Sequence, residues 1–90
     1  MTWREYGYVV ASKYRVKTVQ VLTSHPKTPK EISNETHMAL SHVSRTLREL
    51  TEKGLVICIN PDEVKGRVYE LTDSGKRIAQ ILETNRKFNQ

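Results

Sequence analysis

Residues 28–54 read TPKEISNETHMALSHVSRTLRELTEKG and predict a short helix, a tight turn and a longer helix. The start of the short helix is marked by Thr28, a favoured N-cap, and by Pro29, which suits the first helical position. Glu31 can close a capping box with Thr28, and Ile32 is the apolar residue expected to face inward. The helical pattern then stops before a second apolar stripe begins.

The longer helix shows the clearest apolar periodicity in the chain. Val43, Leu47 and Leu50 recur at intervals of three and four residues, with Leu40 beside them. This spacing predicts one buried face. Gly54 stands where a glycine favours the end of a helix.

Strand signals follow at once in residues 55–71, LVICINPDEVKGRVYEL. Two segments rich in β-branched and aromatic residues flank Asn60–Gly66, whose Asn, Pro, Asp and Gly content is typical of a hairpin loop. Thr72 is then expected to cap a last helix, Asp73 to about Phe88, which has an acidic first turn.

Another helix is predicted ahead of this region, over Tyr8–Ser24. It should end before Pro26, because proline disfavours helical backbone in the residue that precedes it. Helical spacing places Val10 on the inward face and Val9 and Val16 on the exposed, lysine-bearing side. Isolated exposed valines are common, and a partner contact is the alternative interpretation.

The predicted order is α-α-α-β-β-α, an α+β fold with a three-helix core, a β-hairpin and a C-terminal helix. Ninety residues suffice for one such domain, residues 1–90, and not for two. The three main elements are the longer helix at about residues 40–53, the hairpin at about 55–71 and the last helix at about 73–88.

Composition and charge favour a folded protein that meets a polyanion. Hydrophobic residues make up 37% of the chain and charged residues 28%, which are ordinary proportions for a globular protein. Fifteen Lys and Arg against ten Asp and Glu give a formal net charge of +5 and a pI near 9.6. This excess favours a nucleic acid or another acidic partner, although it also fits a basic protein without one.

Other classes of function find little support. The single cysteine, Cys58, excludes an internal disulfide. The polar N-terminus and the lack of a long apolar run point the same way as this cysteine. Together they predict a cytoplasmic protein that does not enter a membrane. No Gly-rich phosphate loop or pair of carboxylates in an apolar context suggests an enzyme. His37 and His42 are poorly spaced for two ligands on one helical face, so neither a metal nor another cofactor is expected.

The outward side of the longer helix carries the residues of greatest functional interest. Opposite its apolar face stand two hydroxyls, an imidazole and two guanidinium groups: Ser41, His42, Ser44, Arg45 and Arg48. Arginine can bind guanine in bidentate fashion, and a short hydroxyl can contact phosphate or a base. The simpler alternative is a solvated helix surface. The capped helix before it and the hairpin after it favour nucleic-acid binding.

Further basic residues flank that helix in the sequence. Lys27 and Lys30, at the start of the short helix, are expected to contact phosphates with help from free N–H groups there. Lys65 and Arg67, at the hairpin tip, could reach the minor groove or the flanking backbone. Two acidic residues in the same loop dilute that charge.

These features resemble the winged helix-turn-helix transcriptional regulators of the MarR/ArsR-like superfamily, in particular its small single-domain archaeal members. The matching phrases are TPKEI, LSHVSRTLRELTEKGLV, KGRVYELTDSGKRI and, less specifically, SKYRVKTVQVL, at residues 28–32, 40–56, 65–78 and 12–22. The resemblance implies that residues 40–53 form the recognition helix, that residues 60–66 form the wing tip, and that the protein is a homodimeric repressor or activator. The positions that commonly touch DNA in the family match Ser41, His42, Ser44, Arg45 and Arg48.

Three residues depart from the family pattern. Thr36 replaces a usual core leucine, His37 a usual turn glycine and Ala39 a frequent Ser/Thr cap. A missing cap costs about 1 kcal/mol and removes a phosphate-binding hydroxyl, so the start of the helix is expected to shift from Leu40 to Ser41. The Cys-rich metal motif of many ArsR-like sensors is absent, and 90 residues leave no separate ligand domain. No small-molecule effector is therefore expected.

The sequence predicts a transcriptional regulator that binds double-stranded DNA as a homodimer, one recognition helix to each half-site. The dimer contact is expected from the apolar stripe of the last helix and from the aromatic N-terminus: Trp3, Tyr6, Ile78, Ile81, Leu82 and Phe88. The same stripe can instead close the core of the monomer. Two alternatives stay open, a protein-interaction subunit of a larger complex and a non-specific architectural DNA-binding protein.

Overall fold

A computed structural model, which describes residues 3–88, has five helices and one two-stranded antiparallel hairpin within that range. In chain order they are α1 (Trp3–Val10), α2 (Lys13–Val21), α3 (Pro29–Thr36), α4 (Leu40–Glu52), β1 (Val56–Cys58), β2 (Tyr69–Leu71) and α5 (Asp73–Phe88). The predicted α+β fold is confirmed, with one helix more than expected among the described residues. Within residues 3–88, no helix is both long and apolar enough to cross a membrane.

The extra helix arises because the predicted helix over Tyr8–Ser24 is interrupted at Ser12. The backbone of Ser12 is extended (φ −135°, ψ 123°), and its hydroxyl caps α2 by accepting a backbone N–H three residues on, at 3.4 Å. The break changes the phase of the helical pattern, so the prediction for the valines was wrong. Val9 is fully buried and Val16 packs against the core, whereas Val10 is 43% exposed. Serine is a favoured N-cap, so Ser12 is a local start signal that competes with the periodicity of the residues around it.

The two ends of α3 are held by local hydrogen bonds. The predicted capping box is confirmed: the Thr28 hydroxyl accepts the N–H of Glu31 at 3.2 Å, and the Glu31 carboxylate accepts the N–H of Thr28 at 2.8 Å. At the other end His37 has left-handed backbone (φ 62°, ψ 19°), a conformation that glycine adopts more easily. The Thr36 hydroxyl donates to the carbonyl oxygen four residues earlier at 2.7 Å and accepts the N–H of Met38 at 3.2 Å.

The inward face of α4 follows the predicted periodicity. Its regularly spaced apolar side chains are at most 2% exposed: Val43, Leu47 and Leu50. Leu40 does not join them and is 52% exposed, because Met38 from the preceding turn enters the core at that end. The helix starts at Leu40 although Ala39 offers no side-chain cap, so the expected shift of its start to Ser41 was wrong.

The hairpin forms the wing, which we define as residues 55–71. β1 and β2 pair in the register Val56↔Leu71, Ile57↔Glu70 and Cys58↔Tyr69. Lys27 pairs with the free edge of β2: its N–H donates to the Tyr69 carbonyl oxygen at 3.0 Å, and its own carbonyl oxygen accepts the Tyr69 N–H at 2.9 Å. This bridge connects the segment before α3 to the wing.

α5 leaves the base of the hairpin at Thr72. The Thr72 hydroxyl donates to the Gly54 carbonyl oxygen at 2.7 Å and accepts the N–H of Gly75 at 3.2 Å. A side chain at position 75 would overlap the carbonyl oxygen of Leu55, so α5 packs against the hairpin backbone to backbone. One apolar cluster then joins all five helices and the hairpin.

Candidate nucleic-acid interface

The side of α4 opposite the core presents a row of exposed hydrogen-bond donors, which we call the α4 row: Ser41, Ser44, Arg45 and Arg48. Arg45 and Arg48 are three residues apart and therefore project from the same side of the helix. Neither guanidinium forms a salt bridge with any side chain that the structure describes. Both arginines thus keep all their donors for an external ligand.

His42 lies at the edge of the α4 row and is half-buried. Its ring contacts the ring of Tyr14 on α2, with 4.8 Å between centroids and 51° between planes. The Lys13 ammonium lies 5.6 Å from the centroid of the same tyrosine ring. Tyr14 thus restricts the orientation of His42. Sequence reasoning missed this contact, because Tyr14 belongs to another helix and lies far from His42 in the sequence.

The C-terminal half of α4 is held by α1 and α2. The Glu49 carboxylate lies 3.6 Å from Nε of Arg15, a salt bridge too long for a hydrogen bond. The same guanidinium donates to the Tyr8 carbonyl oxygen at 2.6 Å and lies 3.8 Å from the centroid of the Tyr8 ring. The Lys53 ammonium lies 4.9 Å from that ring. Arg15 therefore offsets the negative charge that Glu49 would bring toward a phosphate backbone.

Lys30 is exposed on the first turn of α3, where a phosphate contact is predicted. Two N–H groups at this end are already used by the capping box, so less help from free N–H groups is available than expected. The backbone N–H and hydroxyl of Thr28 hold the pKa of Glu31 below its usual range, and the positive charges of His25 and Lys27 act in the same direction. Lys30 therefore stands beside a charged carboxylate.

Lys27 is not available to a phosphate, and its assignment to the DNA contact was wrong. The residue is 2% exposed, and its Nζ lies 3.2 Å from Oε2 of Glu35 and 3.0 Å from Nε2 of His25. The backbone pairing with Tyr69 draws Lys27 between α3 and the wing, which no local sequence signal indicated.

The tip of the wing is organised by Asn60. Its Oδ1 accepts the N–H of Val68 at 2.7 Å, and its Nδ2 donates to the carbonyl oxygen of Gly66 at 3.1 Å. Lys65 and Arg67 are both exposed. Nε of Arg67 donates to a carbonyl oxygen of the loop at 2.6 Å, so Lys65 is the less constrained of the two cations.

The described residues also contain an open groove of about 640 Å³ between the segment after α2, β2 and α5. Its walls mix apolar and charged side chains, among them Leu71, Ala79, Glu70, Lys76 and Glu83. No group of three or more His, Cys, Asp or Glu side chains in the part of the chain described here could hold a metal ion.

The residues predicted for a dimer contact fall into two groups. Ile78 is fully buried and Leu82 is 9% exposed, so they close the core of the monomer, while Ile81 is half-buried. Trp3 is 73% exposed and meets the ring of Tyr6 edge-on at 5.7 Å between centroids. The side chain of Phe88 lies outside the described residues. The exposed aromatic surface is therefore at the N-terminus.

The Tyr6 hydroxyl accepts a hydrogen bond from Nδ2 of Asn85 at 2.6 Å. This contact places α1 beside the C-terminal half of α5. A surface built from both helices is thus available on one side of the molecule.

The family of the chain is identified by comparison with known protein families. The family model described as the HVO_A0261 N-terminal domain matches residues 3–88. The chain belongs to this family. Comparison with curated proteins gave no match.

Three similar solved structures share the winged helix fold of this chain. A MarR family transcription regulator, SP03579, is 20% identical with a TM-score of 0.81, and the match covers 96% of this chain and 58% of that one. Quinone-bound YodB from B. subtilis is 18% identical with a TM-score of 0.80, covering 97% and 93%. The homodimeric winged helix-turn-helix DNA-binding domain of Mb0332 from Mycobacterium bovis, a possible ArsR-family regulator, is 20% identical with a TM-score of 0.77, covering 96% and 80%.

The resemblance to winged helix regulators of the MarR and ArsR kinds is thereby confirmed for the fold. The chain spans little more than half the length of SP03579, 58%. At these identities the likeness concerns architecture, since one fold can carry several functions.

Proposed function

We propose that the protein is a transcriptional regulator that inserts α4 into the major groove of double-stranded DNA. The observation that supports this most is the contrast between the two sides of α4. One side is buried against the core, and the other carries Arg45 and Arg48 without a salt bridge to any described side chain. The major groove admits an α-helix, and arginine there can distinguish guanine from the other bases.

Neighbouring groups fit contacts to the phosphate backbone. Ser41 and Ser44 lie in the first turns of α4 and can bond to phosphates without reading sequence. Lys30 on α3 and Lys65 on the wing are exposed cations outside that helix. The net charge of +5 favours approach to DNA and predicts binding that weakens as salt is added.

A homodimer on a palindromic site is part of the proposal. One monomer offers one α4, and two-fold symmetric proteins of this kind bind half-sites about one helical turn apart, roughly 34 Å. Exposed Trp3 and the Tyr6–Asn85 contact support a dimer surface on α1 and α5. The homodimeric state of the Mb0332 domain supports this choice.

A protein-binding role is the second candidate, because the wing exposes apolar side chains. Ile57 is 50% exposed, Ile59 49% and Val64 89%. Exposed apolar groups that share a surface can mark a protein contact. In that case α4 would be a solvated helix, and substitution of its arginines would leave the partner bound.

The prediction that no small-molecule effector exists loses part of its basis. YodB is quinone-bound in its structure, and this chain spans 93% of the YodB chain. A length near 90 residues is therefore no argument against a ligand in this fold.

The decisive experiment measures binding to two duplexes at several salt concentrations. One duplex is selected from a random pool and the other has a scrambled sequence. We expect Arg45→Ala and Arg48→Ala to weaken binding to the selected duplex by about 1–3 kcal/mol for each arginine that contacts a base. Lys30→Ala should weaken binding to both duplexes alike.

Arg77→Ala is the matched control, since it removes the same charge from an exposed position of α5. Equal losses on both duplexes for the two α4 arginines would contradict base reading. Footprinting on genomic fragments distinguishes a sequence-specific regulator from a non-specific architectural DNA-binding protein. The architectural protein would protect scattered sites without a shared palindrome.

A further inference from the structure

One half-buried aromatic side chain meets the proposed DNA interface from a neighbouring helix. Tyr14 lies in the first turn of α2, and its ring contacts the ring of His42 at the edge of the α4 row. The centroids are 4.8 Å apart, within the favourable range for a pair of aromatic rings. The proposed function gives Tyr14 no role of its own, although it touches a residue at the edge of the site.

The position of Tyr14 is determined by the core of the protein. Its side chain packs against the apolar cluster, and the next turn of α2 carries Thr18 and Val19, both fully buried. The Thr18 hydroxyl also donates to the Tyr14 carbonyl oxygen at 2.8 Å. A tyrosine side chain has few rotatable bonds, so a ring that the core holds on one side has few alternative positions. Tyr14 is therefore a rigid support for whatever rests on it.

His42 lies where a recognition helix usually meets the edges of the bases. It belongs to the first turn of α4, and Arg45, three residues later, projects from the same side of the helix. In helix-turn-helix proteins the N-terminal residues of the recognition helix contact the bases. An imidazole can donate or accept a hydrogen bond, and each base pair shows a distinct pattern of donors and acceptors in the major groove. His42 is thus suited to read a base beside Arg45.

A histidine discriminates between bases only when its ring keeps one orientation. His42 is half-buried, and among the described residues the aromatic ring that it contacts is that of Tyr14. Without that ring the imidazole would be free to turn away from the groove. Fixing a mobile side chain on binding reduces affinity, whereas a side chain that is already fixed avoids this loss. The Tyr14 contact therefore bears directly on what His42 can recognise.

We propose that Tyr14 is a positioning residue for DNA recognition, which holds His42 in the orientation that reads one base in the major groove. This role rests on the proposed function of α4. The Lys13 ammonium lies 5.6 Å from the centroid of the Tyr14 ring, where a cation is attracted to the face of the ring. Lys13 is exposed, so it adds positive charge beside the place where His42 meets the groove. The first turn of α2 thereby extends the interface beyond α4.

A double-mutant cycle on the whole chain tests this role. Affinities for the selected and the scrambled duplex are measured for the parent chain, Tyr14→Leu, His42→Ala and the variant with both substitutions. The ratio of the two affinities is the sequence preference. Each single substitution should lower this preference about tenfold, the usual effect of one lost base contact. The double variant should lose no more than His42→Ala alone, because Tyr14 acts through His42.

Two further variants separate positioning from general stability. Tyr14→Phe keeps the ring and should retain the preference of the parent chain. Tyr8→Leu is the matched control: Tyr8 is also half-buried, but among the described residues its ring pairs with the cations of Arg15 and Lys53 rather than with His42. This control should lower the urea midpoint, as Tyr14→Leu does, and leave the preference unchanged.

Proton NMR supplies a measurement that needs no substitution and therefore does not depend on the folding of a variant. Nuclear Overhauser effects between the rings of Tyr14 and His42 should be present in the free chain and persist when the selected duplex is bound. Signals of the His42 ring should shift on binding of the selected duplex and less on binding of the scrambled one. Loss of the ring contact in the complex would overturn the positioning role.

The outcomes distinguish this role from the proposed function. Additive losses from Tyr14→Leu and His42→Ala, or an unchanged preference in both, would overturn the role of Tyr14, while Arg45→Ala and Arg48→Ala decide separately on α4. An equal loss of preference in Tyr8→Leu would also overturn it, because destabilisation would then explain both tyrosines. A parent chain without preference for any duplex would refute the proposed function and the base contact of His42 together.

Discussion

α4 and the wing both expose basic side chains, but they hold them in different ways. α4 presents Arg45 and Arg48 from a helix whose opposite side is fixed in the core. Residues 61–67 of the wing are all exposed, and the loop depends on the hydrogen bonds of Asn60. Base reading requires side chains held in a defined position, whereas phosphate contacts tolerate more movement. The difference supports our proposal that α4 reads the DNA sequence and that the wing makes a supporting contact.

The largest effect on the free energy of unfolding is expected from a substitution on the side of α4 that packs against the core. Leu47→Ala should lower the free energy of unfolding by about 2–5 kcal/mol, because it removes a side chain that is 2% exposed and leaves a cavity. Leu40→Ala, on the same helix but 52% exposed, should change it by no more than about 0.5 kcal/mol. Chemical denaturation measures both, and similar losses for the two variants would contradict the assignment of the faces.

The next largest effect is expected on DNA binding, where α4 and the wing can be compared directly. Arg48→Ala should reduce specific binding by about 1–3 kcal/mol if this arginine contacts a base, and it should relax the preference for the selected duplex. Lys65→Ala should weaken binding to both duplexes alike. It should also reduce the slope of log affinity against log salt concentration by about one. A larger loss of preference from Lys65→Ala than from either α4 arginine would reverse the two assignments.

The hydrogen bonds of the wing tip should have a smaller and more local effect. Asn60→Ala removes the hydrogen bonds to Val68 and Gly66 and the weaker one from the Cys58 thiol. It should cost about 1–2 kcal/mol at the usual value for each of the two N–H bonds. Hydrogen exchange should become faster at the amide of Val68 while the amides of α4 keep their protection. Faster exchange throughout α4 would show that the wing tip and α4 are not separate units.

The smallest effect is expected from the capping box of α3. The pKa of Glu31 is lowered in the folded chain, so its contribution to stability is complete above the unfolded pKa and is lost as pH falls through the folded pKa. Glu31→Gln should remove this small part of the acid dependence below about pH 4.5. Urea midpoints at pH 3 and pH 6 would test it, with Glu52→Gln, an exposed residue in the last turn of α4, as the control.

Structure is predicted best from the sequence where a helix cap and the apolar periodicity agree. It is predicted least well where segments far apart in the sequence contact each other. Thr28, Glu31 and the apolar spacing of α4 are local signals, and the structure confirms each of them. Apolar periodicity predicts one helix in the N-terminal region, but the cap at Ser12 divides it into α1 and α2. A local cap can therefore outweigh a periodic pattern that continues across it.

Prediction of the candidate nucleic-acid interface is likewise limited to local signals. The exposure of Arg45 and Arg48 follows from the phase of one helix and could be predicted. The burial of Lys27 depends on pairing with Tyr69, and the contact of His42 depends on Tyr14 of another helix. Neither partner is close in sequence, so composition and spacing alone gave no indication of these contacts.

The close packing at Gly75 has a consequence for the geometry of an assembled regulator. The direction in which α5 leaves the hairpin is determined by main-chain atoms of Gly75 and Leu55, which most substitutions elsewhere do not alter. If α5 contributes to a dimer, this junction sets how far apart the two copies of α4 stand. Enlarging residue 75 would then change the preferred number of base pairs between half-sites while the bases read within each half-site stay the same.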